Sequence, residues 1–205
     1  MKPSMIGAAA TALAATAGAQ NVDFNSDAVG APPSGWTCGV TGRGAPKWAI
    51  APDEEGKGNV LMQSGSGTFP WCVKSGITVA DGSVETTFKP IGGREDRAGG
   101  VVWRWKDGDN YYVARANALE NNVSLYYTER GSRRTLKYVD APVASGRWHT
   151  LKVEFAGTRI VVALDGKRYI EMDDAHISGA GAVGVWTKAD SVTAFKSFTY
   201  SASGR

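Results

Sequence analysis

"GGVVWRWKDGDNYYVARANALENNVSLYY", Gly99 to Tyr127, holds the pattern that decides the fold. Apolar and polar residues alternate on both sides of Asp107-Gly108-Asp109-Asn110, and period two around Gly, Asp and Asn marks an antiparallel hairpin. With Gly108 and Asp109 at the tip, Lys106 faces Tyr111, Trp105 faces Tyr112, Arg104 faces Val113 and Val102 faces Arg115. Alternation then turns Val101, Trp103, Trp105, Tyr112, Ala114 and Ala116 toward a core. Val102, Arg104, Lys106, Tyr111, Val113, Arg115 and Asn117 share the opposite face. Two forked donors, an amide and an aromatic on adjacent strands suit a saccharide, which planar polar side chains hold against an aromatic platform.

The same alternation recurs at Asn59–Ser64, Ser83–Lys89, Trp148–Phe155, Arg159–Leu164, Ala182–Lys188 and Ala194–Tyr200, and most of the 26 glycines fall between such runs. Many short strands with turn signals predict an all-β antiparallel sandwich. Asn25 to Glu55, rich in Gly, Pro and Ala, reads as long ordered loops. In the last strand but one, Val183 and Val185 alternate with Trp186 and Lys188, which adds an aromatic and a cation to the polar face.

The chain has 205 residues, 42% of them apolar, enough for one sizeable core. Residues 1–19 read as a secretory signal: Lys2 is the positive start, Met5 to Ala15 is small and uncharged, and Ala17-Gly18-Ala19 is a cleavage pattern. That Ala-rich run is too short to cross a bilayer core of about 30 Å. The expected mature protein is a single domain, residues 20–205, secreted or periplasmic. Export would let Cys38 and Cys72, the only cysteines, form a disulfide.

The net charge is +3, with 23 basic and 20 acidic residues interspersed, which leaves no nucleic-acid footprint. Arg133, Arg134 and Lys137 beside Gly131 read as a solvated hairpin tip. There is no nucleophile elbow or phosphate loop, and His149 and His176 lack ligand spacing. No metal site or cofactor is expected. Asp107 and Asp109 lack the spacing of an EF-hand, although calcium held by carbonyls and carboxylates leaves little local signature and stays open. Oligomeric state has no readable signature.

"GRWHTLKVEFAGTRIVVALDGK", Gly146 to Lys167, resembles the hairpin of concanavalin A-like jelly rolls, laminin G-like domains included, where Trp148 and His149 are packing residues at a strand entry. Together with "GGVVWRW", "NYYVARANALENNVSLYY" and "GAVGVWTKADSVTAFKSFTY", it resembles the secreted bacterial 3-keto-disaccharide hydrolase domains, related to family 16 glycoside hydrolases. That resemblance implies a concanavalin A-like fold and cleavage of 3-keto-glycosides: a base removes the proton beside the ketone, a cationic clamp holds the enolate, the glycosidic substituent leaves and water adds. Glu85 in "SVETTFKP" alternates with Phe88, points away from the core and is the candidate base. Arg104 and Arg115 are the candidate clamp, and Tyr111, Asn117, Trp186 and Lys188 the candidate sugar contacts. Glu120 in "ALENN" reads as a solvated loop residue and Asp190 as a turn residue. Family 16 hydrolases use paired carboxylates on one strand, and this strand supplies only Glu85. The alternative is therefore a glycan-binding or laminin G-like interaction module that performs no chemistry.

Overall fold

The computed structural model describes residues 18–203, so most of the leader read at residues 1–19 lies outside the described residues. Fifteen strands occur among them, and no helix. They are β1 (Gln20–Asp23), β2 (Trp36–Ala45), β3 (Trp48–Pro52), β4 (Asn59–Gln63), β5 (Ser66–Lys74), β6 (Gly82–Gly92), β7 (Ala98–Asp107) and β8 (Asn110–Asn117), then β9 (Asn122–Glu129), β10 (Ser132–Asp140), β11 (His149–Ala156), β12 (Arg159–Leu164), β13 (Lys167–Asp173), β14 (Ala182–Trp186) and β15 (Val192–Ala202). One sheet runs β13-β12-β11-β6-β15-β4-β3, with β1 also on β15; the other runs β10-β9-β8-β7-β14-β5-β2. All strand pairs are antiparallel. The fold is the antiparallel jelly-roll sandwich of the concanavalin A-like type that the alternation predicts.

The core lies between the sheets. Trp103, Tyr112, Ala114 and Leu125 of the seven-stranded sheet meet Phe88, Leu151, Val153, Phe155 and Phe198 of the eight-stranded one. Gly99 is needed there, because a Cβ on it would lie 2.3 Å from the Phe88 ring. Local chemistry sets the hairpins. Asp165 and Gly166 both take positive φ, 50° and 78°, as a two-residue turn between β12 and β13 demands. At the tip of β7 and β8, Asp107 Oδ1 accepts from Asp109 N and Asn110 Nδ2, both at 2.8 Å. Cys38 and Cys72 face each other across β2 and β5 and are bridged, a cross-link that in the chain-entropy account stabilises the fold by roughly 3.5–4 kcal/mol.

Two expectations need correction. The segment Asn25–Glu55 contains β2 and β3 rather than loops alone. Its Thr and Gly content weakens the apolar signal without preventing backbone pairing.

The second correction concerns the opening hairpin. Asp107 pairs with Asn110 as expected, but Trp103 pairs with Tyr112, so Arg104, Trp105 and Lys106 oppose Tyr111 alone. This is a β-bulge, with Arg104 at a φ of 47°. It turns Arg104 off the polar face and into the edge of the sandwich. There the guanidinium donates to Ala80 O, Ile177 O and Gly157 O at 2.7 to 3.2 Å, pairs with Asp81 at 3.3 Å and lies over the Phe155 ring. Trp105 goes the other way, out of the core, and packs against Trp71 with ring centroids 5.1 Å apart.

Arg104 is thus a buried tie, 4% exposed, between loops of both sheets. Replacing it with Ala orphans several carbonyls and Asp81 and should lower unfolding free energy by about 3–5 kcal/mol, similar to Trp103→Ala. Chemical denaturation of both variants checks this; an Arg104→Ala protein as stable as the parent contradicts it.

Candidate functional site

The outer face of the seven-stranded sheet is unusual because it is largely apolar. Trp71, Val73, Val102, Tyr111, Val113, Tyr126 and Trp186 form a second buried cluster there, flanked by Phe69 and Trp105. Cross-strand registers line them up: Ser124, Arg115, Gly100, Trp186 and Trp71 make one row, and Tyr126, Val113, Val102, Gly184 and Val73 the next. Gly100 admits the close approach of the β8 backbone, since a Cβ would sit 2.6 Å from Ala114 O, and it also keeps space beside the Trp186 ring at 3.3 Å. Trp186 therefore lies on the expected face, but it is 0% exposed and stacked on Phe69 at 5.7 Å. It is floor rather than an open platform. Tyr111 is floor too, its hydroxyl 2.8 Å from Thr41 Oγ1.

Polar groups converge on this floor. Arg115, 2% exposed, donates from Nη1 to Asp96 Oδ2 at 3.1 Å and from Nη2 to Glu120 Oε2 at 2.7 Å and Asn122 Oδ1 at 3.3 Å. Glu120 Oε2 also accepts from Asn122 Nδ2 and the Tyr138 hydroxyl, both at 2.9 Å. Lys188 Nζ reaches Asp96 Oδ2 at 2.9 Å. Asp190 accepts the backbone N–H groups of Arg94, Glu95 and Asp96 at 2.7 to 3.1 Å and so shapes the loop that presents Asp96. Asp96 Oδ1 and Arg115 Nε are buried without a protein partner. Asn117 sits at the margin, its Oδ1 accepting from Leu119 N at 2.9 Å and so shaping the Glu120 loop.

Arg133 covers the floor. Its guanidinium carbon lies 4.2, 4.6 and 5.7 Å from the ring centroids of Tyr126, Phe69 and Trp186. The expected solvated tip is corrected here: the Arg130-Gly131 turn is at the surface, but Arg133 folds back over the sheet. Burial, outweighing nearby acidic groups, lowers its guanidinium from the ordinary value.

The candidate residues thus divide. Arg115, Lys188, Tyr111, Trp186 and Asn117 belong to the outer face of the seven-stranded sheet. Arg104 belongs to the sandwich edge. Glu85 sits in β6 between Lys152 and Thr199, lining a groove of about 730 Å³ on the outer face of the other sheet. Glu85 and Arg115 are therefore on opposite sides of the molecule, and Arg104 stands apart from both. Asp96, Asn122 and Tyr138 are residues that sequence reasoning passed over, and Glu120 and Arg133 ones it read as solvated, whereas Glu120 pairs with Arg115 and Arg133 lies over the aromatic floor. The only signal for them is register: Asn122 and Ser124 pair with Asn117 and Arg115 across β8 and β9. His149 is a packing residue as expected, its Nδ1 2.7 Å from Asp165 Oδ2. Among the described residues no three His, Cys, Asp or Glu side chains group as a metal site, and no helix is long and apolar enough to cross a membrane.

The fold and this outer face define a concanavalin A-like sandwich with a polar cluster on an aromatic sheet. No family model matches the chain. In sequence it is 28% identical over 141 residues, 68% of its length, to a levanase from Bacillus subtilis (strain 168), of which it spans 19%. Among solved structures it resembles the carbohydrate binding module CBM66 from Bacillus subtilis (TM-score 0.65, 23% identity, 79% of this chain and 92% of that one). It also resembles a Bacillus licheniformis beta-glucanase (TM-score 0.59, 14% identity, 90% and 98%).

Burial works to raise the Glu120 carboxyl, but the Asn122 amide, the Arg115 charge and the Tyr138 hydroxyl together outweigh it and bring it down to about 2. A carboxyl lowered from 4.5 on folding stabilises the native state fully above that value, and the contribution fades as pH falls through about 2. The parent should therefore melt above Glu120→Gln at neutral pH, and the gap should close between about pH 4.5 and 2. A gap constant across that window contradicts the assignment.

Proposed function

We propose that this chain is a non-catalytic glycan-binding module that holds its saccharide on the outer face of the seven-stranded sheet. The observation that carries the reading is the preassembled Arg115–Glu120–Asn122–Tyr138 cluster beside a buried aromatic floor. Sugar hydroxyls donate and accept at once, so charged, planar partners fixed in place recognise them with little ordering cost. Tyr138, 48% exposed, and the open side of Glu120 are the groups a ligand meets first.

The chemistry of the cluster favours binding over cleavage. A general acid must hold a proton near neutral pH, whereas Glu120 is held ionised down to about 2. Elimination from a 3-keto-glycoside needs a base next to its clamp, and Glu85 lies across the sandwich from Arg115. The levanase and carbohydrate-binding-module relatives make a levan-type fructan the first ligand to test. The Cys38–Cys72 bridge fits an oxidising, extracytoplasmic compartment, and export should leave an N-terminus near Gln20.

Calorimetric titration with levan oligosaccharides should show saturable binding, and incubation with levan or 3-keto-glucosides should release no product. Glu120→Gln and Tyr138→Phe should each weaken binding about tenfold, the equivalent of about 1.4 kcal/mol. Glu85→Gln should leave affinity unchanged. Turnover that disappears in Glu85→Gln overturns the reading, and so does a full panel of neutral and acidic glycans that fails to bind.

A further inference from the structure

Beside the Arg115 cluster, a pocket of about 400 Å³ opens on the outer face, lined by residues of β2 and β5 and by Arg133 reaching over from β10, within the size range of small-ligand sites. Arg133, Phe69, Thr68, Lys188 and Glu95 are among the residues that line it. Arg43 stands exposed at the rim.

Charge in this pocket is unbalanced. Asp96 is engaged by Arg115 and Lys188, and Glu120 by Arg115. Arg133 and Arg43 therefore face a single uncommitted carboxylate, Glu95. Among the described residues the Arg133 guanidinium makes no hydrogen bond or ion pair, and its Nη1 is buried without a partner.

Stacking explains how Arg133 tolerates this and what it is set up to do. The rings of Tyr126 and Phe69 hold the guanidinium by cation–π attraction. Cation–π contact engages the face of the group and leaves its in-plane Nε–Nη2 edge, which unlike Nη1 is not buried, free to meet a carboxylate with two parallel bonds. Any ligand that fills the pocket covers Arg133 further. A neutral ligand adds to the cost of burying an unpaired charge, whereas an anion offsets it.

We propose that the pocket beside Arg133 binds the carboxylate of a sugar acid, so that the preferred ligand of this face is a uronate-bearing glycan. This rests on the glycan-binding reading and narrows it to one substrate class. Arg43 adds long-range attraction, Arg133 the directional bond.

The test is calorimetric titration of the whole chain with uronate oligosaccharides of gluco, galacto and manno configuration, each beside its carboxyl-reduced, neutral form. At least one acidic member should bind about tenfold or more tighter than its neutral counterpart, about 1.4 kcal/mol, and raising salt should erode that ratio. Arg133→Gln should bring the ratio close to one. Arg133→Lys should fall between, because it keeps the charge and loses the fork. Arg43→Gln, at an exposed position, should lower the ratio by about threefold and carries the test should Arg133→Gln fail to fold. Equal affinity for acidic and neutral forms, or a preference that survives in Arg133→Gln, overturns the proposal while leaving neutral glycan binding intact. If no acidic or neutral glycan binds, the proposal and the glycan-binding reading fall together.

Discussion

The seven-stranded sheet is apolar on both faces, and much of the molecule follows from the need to cover both. Its inner face meets the facing sheet in the ordinary way of a sandwich. Its outer face carries Val102, Tyr111, Val113, Tyr126, Trp71 and Trp186, each worth roughly 1.5–3 kcal/mol if kept from water. Among the described residues no third layer supplies that cover. It comes from side chains that reach over the sheet: the Arg133 guanidinium on three rings, Phe69 on Trp186, and Trp105 on Trp71. A face sealed by side chains laid over it holds their stems fixed, so the polar edge left at the surface, that of Arg133, can bind without first being ordered.

The bulge at Arg104 belongs to the same arrangement. Without it, Trp105 would point into the core beside Trp103 and Arg104 would stand on the outer face. The extra residues in β7 send Trp105 out to complete the aromatic floor and send Arg104 inward to join loops of both sheets. One irregularity thus serves the floor and the edge together.

These particulars mark what the sequence could reveal. Alternation sorts Val101, Trp103, Tyr112, Ala114 and Ala116 from Val102, Tyr111, Val113 and Arg115 correctly, because face assignment is fixed by parity as long as pairing is regular. The bulge escapes that reasoning because its positive-φ residue is Arg104, with no glycine to mark it. Asp96 and Glu120 escape it for another reason. They lie in loops and resemble solvated acids until the fold brings both to Arg115, a partner whose own burial depends on them. Arg133 belongs to a charge run that reads as surface, and only the aromatic rows of β9, β14 and β5 give it a reason to fold back.

Electrostatics also sets the acids of this face apart from those of a glycosidase. A glycosidase pushes the protonation behaviour of two carboxyls apart, so that one remains an acid near neutrality. On this sheet the hydrogen bonds and the Arg115 charge drive Glu120 further into its ionised form than burial can reverse. The same guanidinium engages Asp96, and both acids are spent on holding Arg115 rather than on a reacting atom. Glu85, which carries no such commitment, is separated from them by the full thickness of the sandwich. Among the groups that remain open on the outer face are hydrogen-bonding edges: the exposed side of Glu120, the Tyr138 hydroxyl and the Nε–Nη2 edge of Arg133. Such edges can fix the orientation of a polar ligand.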